Sequence, residues 1–98
     1  MKICGVVWKQ QFVEKIGAKH GVTTEEVEEV LYGDPHIRRA SKGKVKGEHV
    51  YAAYGQTDSG RYLFIAFINK GQGMALPISA RGMTATERSY YDRQNEAD

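Results

Sequence analysis

The stretch Arg61-Tyr-Leu-Phe-Ile-Ala-Phe-Ile-Asn69 places seven apolar residues in a row between a cation and a polar turn residue. A run this short, β-branched and aromatic, with glycines on both sides and no helical period, suits a strand covered on both faces, and the reading makes it the central strand of a sheet. Val50-Tyr-Ala-Ala-Tyr54 precedes it across Gly55-Gln-Thr-Asp-Ser-Gly60, whose residue types fit a hairpin loop. Lys70-Gly-Gln-Gly73 turns the chain again into Met74-Ala-Leu-Pro-Ile-Ser-Ala-Arg81. The expected core is therefore an antiparallel meander, with Arg61 and Arg81 at strand ends where a site on the rim would be built.

Segments before and after the meander read as covering elements. Lys2–Trp8 is either a short strand or an extended arm that packs Val6, Val7 and Trp8 on the sheet. Lys9–Lys19 has Phe12 and Ile16 one helical turn apart, with Gly21 beyond His20 as the left-handed stop. Thr23-Thr-Glu-Glu26 is a capping box opening a second helix whose apolar face is Val27, Val30 and Leu31, and Gly33-Asp-Pro35 ends it. His36-Ile-Arg-Arg-Ala-Ser41 reads as an edge strand with alternate residues outward, followed by a lysine-bearing loop to Gly47. A second capping box, Thr84-Ala-Thr-Glu87, starts a closing helix that carries Tyr90 and Tyr91, with a flexible polar tail over 93–98. The fold class is α+β: two N-terminal helices, an antiparallel meander of about four strands, and a C-terminal helix. Ninety-eight residues, 41% of them apolar, make one domain over 1–98.

Charge is distributed unevenly along this order. Residues 35–81 carry eight Lys/Arg against two Asp/Glu, while the segments on either side are slightly acidic. Cations gathered on a sheet attract phosphate irrespective of sequence, and lysine on an edge strand also blunts edge-to-edge pairing, so both readings stand at this point. Cys4 is the single cysteine, which excludes an intramolecular disulfide and a thiolate metal cluster. His20, His36 and His49 are scattered, and no carboxylate sits at ligand spacing beside them, so no metal and no cofactor is expected. No apolar run reaches membrane-spanning length and no signal peptide is legible, from which a cytoplasmic location without membrane contact follows as the expectation.

Metal-free RNA cleavage needs a group to take the 2′-hydroxyl proton, a donor for the leaving 5′-oxygen, and fixed positive charge on the phosphorane. Histidine can fill the first two roles and arginine the third. Residue by residue the alternatives are structural: Arg61 and Arg81 as ion-pair partners at strand ends, His20 as a cation at a helix C-terminus, the tyrosines as packing.

Taken together, Lys19-His-Gly-Val22 with Thr-Thr-Glu-Glu-Val behind it, Gly33-Asp-Pro35, Gly60-Arg61 opening the apolar strand, and Ile78-Ser-Ala-Arg81 ahead of Thr84-Ala-Thr-Glu-Arg-Ser-Tyr-Tyr91 resemble the BrnT family of toxins. The resemblance runs from Trp8 to Tyr91. It implies a RelE-like ribonuclease fold and the toxin half of a type II toxin–antitoxin pair, cutting RNA without metal and stalling translation until a cognate DNA-binding antitoxin covers it. Operator DNA would be met only through that antitoxin. By this resemblance Arg61 and Arg81 contact the scissile phosphate, His20 does acid–base work, Glu87 is a cap, and Tyr91 packs and stacks. The chain departs from the family pattern at Glu48-His49 and at Met74–Pro77, where family members carry arginine. His49 with Arg38 or Arg39 then compensates, or the protein is a catalytically weak, RelE-like binding module. The expected catalytic set is Arg61, Arg81, His20 and His49. The expected RNA-binding set is Arg38, Arg39, Lys42, Lys44, Lys46 and Lys70.

Overall fold

The computed structural model describes residues 1–42 and 48–96. Its elements in chain order are β1 (Gly5–Val6), α1 (Gln10–His20), α2 (Thr24–Tyr32), β2 (His36–Lys42), β3 (His49–Gln56), β4 (Tyr62–Gly71), β5 (Met74–Gly82) and α3 (Ala85–Glu96). The class is the α+β arrangement read from the sequence, with one strand more. The N-terminal segment, left open between strand and arm, forms a two-residue strand running parallel to β5, so the sheet has the order β1-β5-β4-β3-β2 and is mixed. The remaining four strands form the antiparallel meander, and β4 lies in the middle.

The central strand is not covered equally on its two faces. Leu63, Ile65 and Phe67 are completely buried, whereas Tyr62, Phe64, Ala66 and Ile68, which alternate with them, are only partly so. An apolar sequence without polar alternation hides this difference, because aromatic and small residues serve on a half-open face as well as in a core. The fully covered face packs on α1 and α2 through Ile16, Val22, Val27, Val30 and Leu31, joined by Ala53 and Ala80 from the neighbouring strands. Each large apolar side chain fully buried there contributes about 1.5–3 kcal/mol relative to exposure. The second face carries a smaller cluster of Ala52, Tyr54 and Tyr91, fringed by Tyr62, Phe64, Met83 and Tyr90, and α3 covers only part of it.

Local chemistry sets the boundaries. Gly21 ends α1 at φ 61°, its N–H donating to the Gly17 carbonyl. Thr23 and Glu26 form the reciprocal cap of α2. Pro77 sits where the β4–β5 register slips between Ala66 and Phe67, beyond the two residues that β1 pairs, which accommodates a residue with no N–H to give. Trp8 donates from Nε1 to Glu28 at 2.8 Å and so ties the N-terminal segment to α2. α3 continues to Glu96, so residues 93–96, expected in a flexible tail, are helical.

Candidate functional site

Arg61 and Arg81 lie at the same rim of the sheet, since β4 begins where β5 ends, but they do not converge. Arg61 precedes Leu63 by two residues and shares its parity, which directs its side chain toward α1 and α2. There Nη2 donates to the His20 carbonyl at 3.1 Å, and Nη1 donates to the Gly21 carbonyl at 3.1 Å and to Glu26 Oε1 at 3.0 Å. The guanidinium thus ends a helix whose last carbonyls lack intrahelical donors, and it joins α1, the α2 cap and β4. Glu26 is held below the usual carboxylate range by the Thr23 backbone N–H, with Arg61 adding to the effect. The expectation that Arg61 and Arg81 meet at one phosphate is corrected: strand alternation puts them on opposite faces.

Arg81 belongs to the face under α3. Across the strands, the register aligns His36 with Tyr54, Tyr54 with Phe64, and Phe64 with Arg81. The next row toward the sheet interior is Arg38, Ala52, Ala66 and Ser79. The first row sets an imidazole, two aromatic rings and a guanidinium in line. The second places small side chains beside Arg38, leaving an open cleft of about 340 Å³ bounded by Arg38, Arg39, Tyr54, Phe64 and Glu87. Ring contacts stiffen the first row: Tyr54 meets Phe64 edge-on at 5.3 Å, and the Arg81 guanidinium carbon stands 4.4 Å over Phe64.

Side chains of α3 reach down to this face. Glu87 takes a bidentate pair from Arg81, Nη1 to Oε1 at 2.7 Å and Nη2 to Oε2 at 2.8 Å. That donation draws the Glu87 carboxyl down to about 2 and raises Arg81, burial opposing both. Tyr90 Oη lies 2.8 Å from His36 Nε2, and the Arg38 guanidinium stands 4.7 Å over the Tyr90 ring. The Arg38 guanidinium is shifted upward, Tyr54 being the larger cause and Tyr90 adding to it, with burial opposing.

A family model described as "Ribonuclease toxin, BrnT, of type II toxin-antitoxin system" matches residues 8–87, which takes in Arg38, Arg61, Arg81 and Glu87 and ends before Tyr90. The chain belongs to the BrnT family. A ribonuclease toxin of such a pair implies RNA as substrate and an antitoxin as partner. The crystal structure of the Brucella abortus ribonuclease toxin, BrnT, is similar at a TM-score of 0.60 and 17% identity, over 82% of this chain and 96% of that one, and supports the fold. Comparison with curated protein sequences finds no match. No helix among the described residues is long and apolar enough to cross a membrane.

For this BrnT-family chain, the other expected site residues are dispersed. His20 ends α1 and offers its backbone carbonyl to Arg61, away from Arg81. His49 has the parity of Tyr51 and Ala53, on the α1/α2 side of the sheet, and its Nδ1 lies 2.9 Å from Arg39 Nη2. Lys70 pairs with Glu48 at 3.1 Å on exposed surface. The backbone of Lys42 pairs with His49 at the end of β2, while Lys44 and Lys46 lie outside the described residues. Sequence reasoning passed over His36, Tyr54 and Tyr90 as members of a site. The signal for His36 was present: two residues before Arg38 in a strand, it must share Arg38's face.

Proposed function

We propose that this chain cuts RNA without a metal ion, inhibits translation in the cytoplasm, and is neutralised by a cognate antitoxin that alone contacts operator DNA. The observation that supports the placement of its site is the row His36, Tyr54, Phe64, Arg81 with Arg38 beside it, on one sheet face next to an open cleft. Arg38 and Arg81 would hold the phosphate and neutralise the phosphorane, and His36 is the imidazole available for proton transfer. His36 takes the 2′-hydroxyl proton as that oxygen bonds to phosphorus, the bond to the 5′-oxygen breaks, and the 5′-oxygen takes a proton from water while the proton held by His36 passes to solvent. Products are a 2′,3′-cyclic phosphate and a 5′-hydroxyl end. Aromatic floor residues suit stacking of a base from a single strand. In sequence, Lys42, Lys44 and Lys46 follow Arg38 and would add attraction for the backbone without base preference. Arg61, His20 and His49 are assigned no place in the reaction.

Inducible expression in a bacterium should arrest growth, and purified protein should cleave RNA equally with and without chelator. Arg81→Ala and Arg38→Ala should each relieve the arrest. The pairing of Arg81 with Glu87 favours a second reading, a catalytically weak module that keeps only its binding role. Intact RNA in both buffers, unaffected growth, and tight binding to the product of an adjacent gene would establish that reading instead.

A further inference from the structure

Three groups that the RNA-cleavage reading requires are already engaged, and α3 engages all of them. Glu87 holds Arg81, the Tyr90 hydroxyl holds His36, and the Tyr90 ring lies under Arg38. A carboxylate gives a guanidinium two oxygens side by side, as the non-bridging oxygens of a phosphodiester do. We propose that α3 is an autoinhibitory latch in which the Glu87 carboxylate fills the phosphate position at Arg81, so that RNA must displace it to bind. The inference rests on the proposed placement of RNA on this face.

Little of the helix is buried. Of its twelve residues only Tyr91 is buried, against three of nine in α2. It joins β5 through Met83 and Thr84, next to the exposed Gly82, whose missing Cβ would meet nothing closer than 3.8 Å. Segments with few buried apolar contacts open at far less than the global unfolding free energy. The bidentate pair and the Tyr90–His36 bond hold α3 closed together with Tyr91 against Tyr62, Tyr90 against Tyr54 and Arg88 over the Tyr62 ring. Its own N-terminus does not depend on that closure, since the Thr84–Glu87 cap is internal to the helix.

The test is binding of a 2′-O-methyl oligoribonucleotide, which cannot be cleaved, to the full chain at several salt concentrations. Glu87→Gln keeps an oxygen for the Thr84 N–H and removes the charge that holds Arg81. It should tighten binding about fivefold, the scale of one partly exposed ion pair. One more arginine meeting phosphate should steepen the slope of log affinity against log salt by about 0.7. Adding Arg81→Ala to Glu87→Gln should cancel both gains. Unchanged or weaker binding by Glu87→Gln, with the slope of the parent, would overturn the latch. Should that variant not fold, Tyr90→Phe decides, since it removes one of the bonds that hold α3 closed without touching the cap, so that RNA displaces Glu87 more easily; no gain in affinity then overturns the proposal. Arg38→Ala separates the two levels of inference. Weakened binding in Arg38→Ala with no gain in Glu87→Gln removes the latch alone, whereas an Arg38→Ala protein that binds as the parent removes the RNA site and the latch together.

Discussion

Arg61 and Arg81 stand at one rim of adjacent strands and leave the sheet on opposite faces, the first against the carbonyls that end α1, the second under Glu87 of α3. Their chemistry is the same and their partners are similar, yet one closes the core side of the molecule and the other belongs to its open side. Which cation is free to meet a ligand is decided by parity along a strand.

Arg61→Ala should therefore act on stability. It removes donors to two backbone carbonyls and a partner of Glu26, but the Arg61 side chain is 37% exposed, which discounts the ion pair. A loss of about 0.5–1.5 kcal/mol is expected, from lost net hydrogen bonds at helix-end carbonyls that are exposed and can be hydrated. Thermal unfolding should show a midpoint lower by several degrees, with RNA cleavage unchanged at temperatures where the variant remains folded. Abolished cleavage in a variant of parental stability would return Arg61 to the reaction.

Arg38 and Arg39 offer a comparison between neighbours. Arg38 pairs with Ala52 and faces α3, while Arg39 pairs with Tyr51 and its guanidinium meets His49. Arg38→Ala is expected to lower RNA cleavage by at least tenfold, about 1.4 kcal/mol in transition-state stabilisation, and Arg39→Ala by no more than about twofold. Initial rates on one oligoribonucleotide at fixed salt suffice to measure both. Equal effects would show that alternation does not select the face RNA uses.

Acid should weaken the protein through Glu87. Its carboxyl is drawn from 4.5 to about 2 in the folded state, so the folded form binds its proton later than the unfolded form does. The associated stability is fully present above about 4.5 and is lost as pH falls toward 2, with Glu26 contributing in the same direction. The Glu87 share is at most about 3 kcal/mol. Urea midpoints measured between pH 6 and pH 2 should fall, and Glu87→Gln should flatten that fall. An unchanged pH profile in Glu87→Gln would place the ion pair's contribution elsewhere.

Gly73→Ala should be costly for two reasons that coincide. Gly73 has φ 78°, and a Cβ there would come 2.8 Å from Cys4 Sγ and 3.2 Å from the Cys4 backbone nitrogen. The same glycine accepts the Cys4 N–H at 2.7 Å, so displacing it disturbs the start of the β1–β5 contact. A loss of about 1–3 kcal/mol is expected by chemical denaturation. Gly60→Ala is the control: its φ is 92° but its Cβ would meet no atom within 4 Å, so it should cost less.

Much of the fold could be read from residues alone because its signals are local. The cap of α2 and the glycine ending α1 act within a few positions of chain and fell where expected, and the hairpin residues and the apolar run of β4 fell close to it, with Gly55, Gln56, Lys70 and Gly71 drawn into the strands. The parallel pairing of β1 with β5 joins residues some seventy positions apart, and nothing in Gly5-Val6 specifies that partner.

What the sequence by itself determined was the order and kind of the elements, the placement of basic residues between two mildly acidic segments, and membership in a family whose motifs span most of the chain. Only the tertiary structure decided which of those basic residues share a surface. A strand sends successive side chains to opposite faces, and covering helices then convert one face into core and leave the other partly open. That separated Arg61 from Arg81 and brought His36 and Arg38 beside Tyr54, although the intervals between these residues in the chain gave no measure of their distance in space.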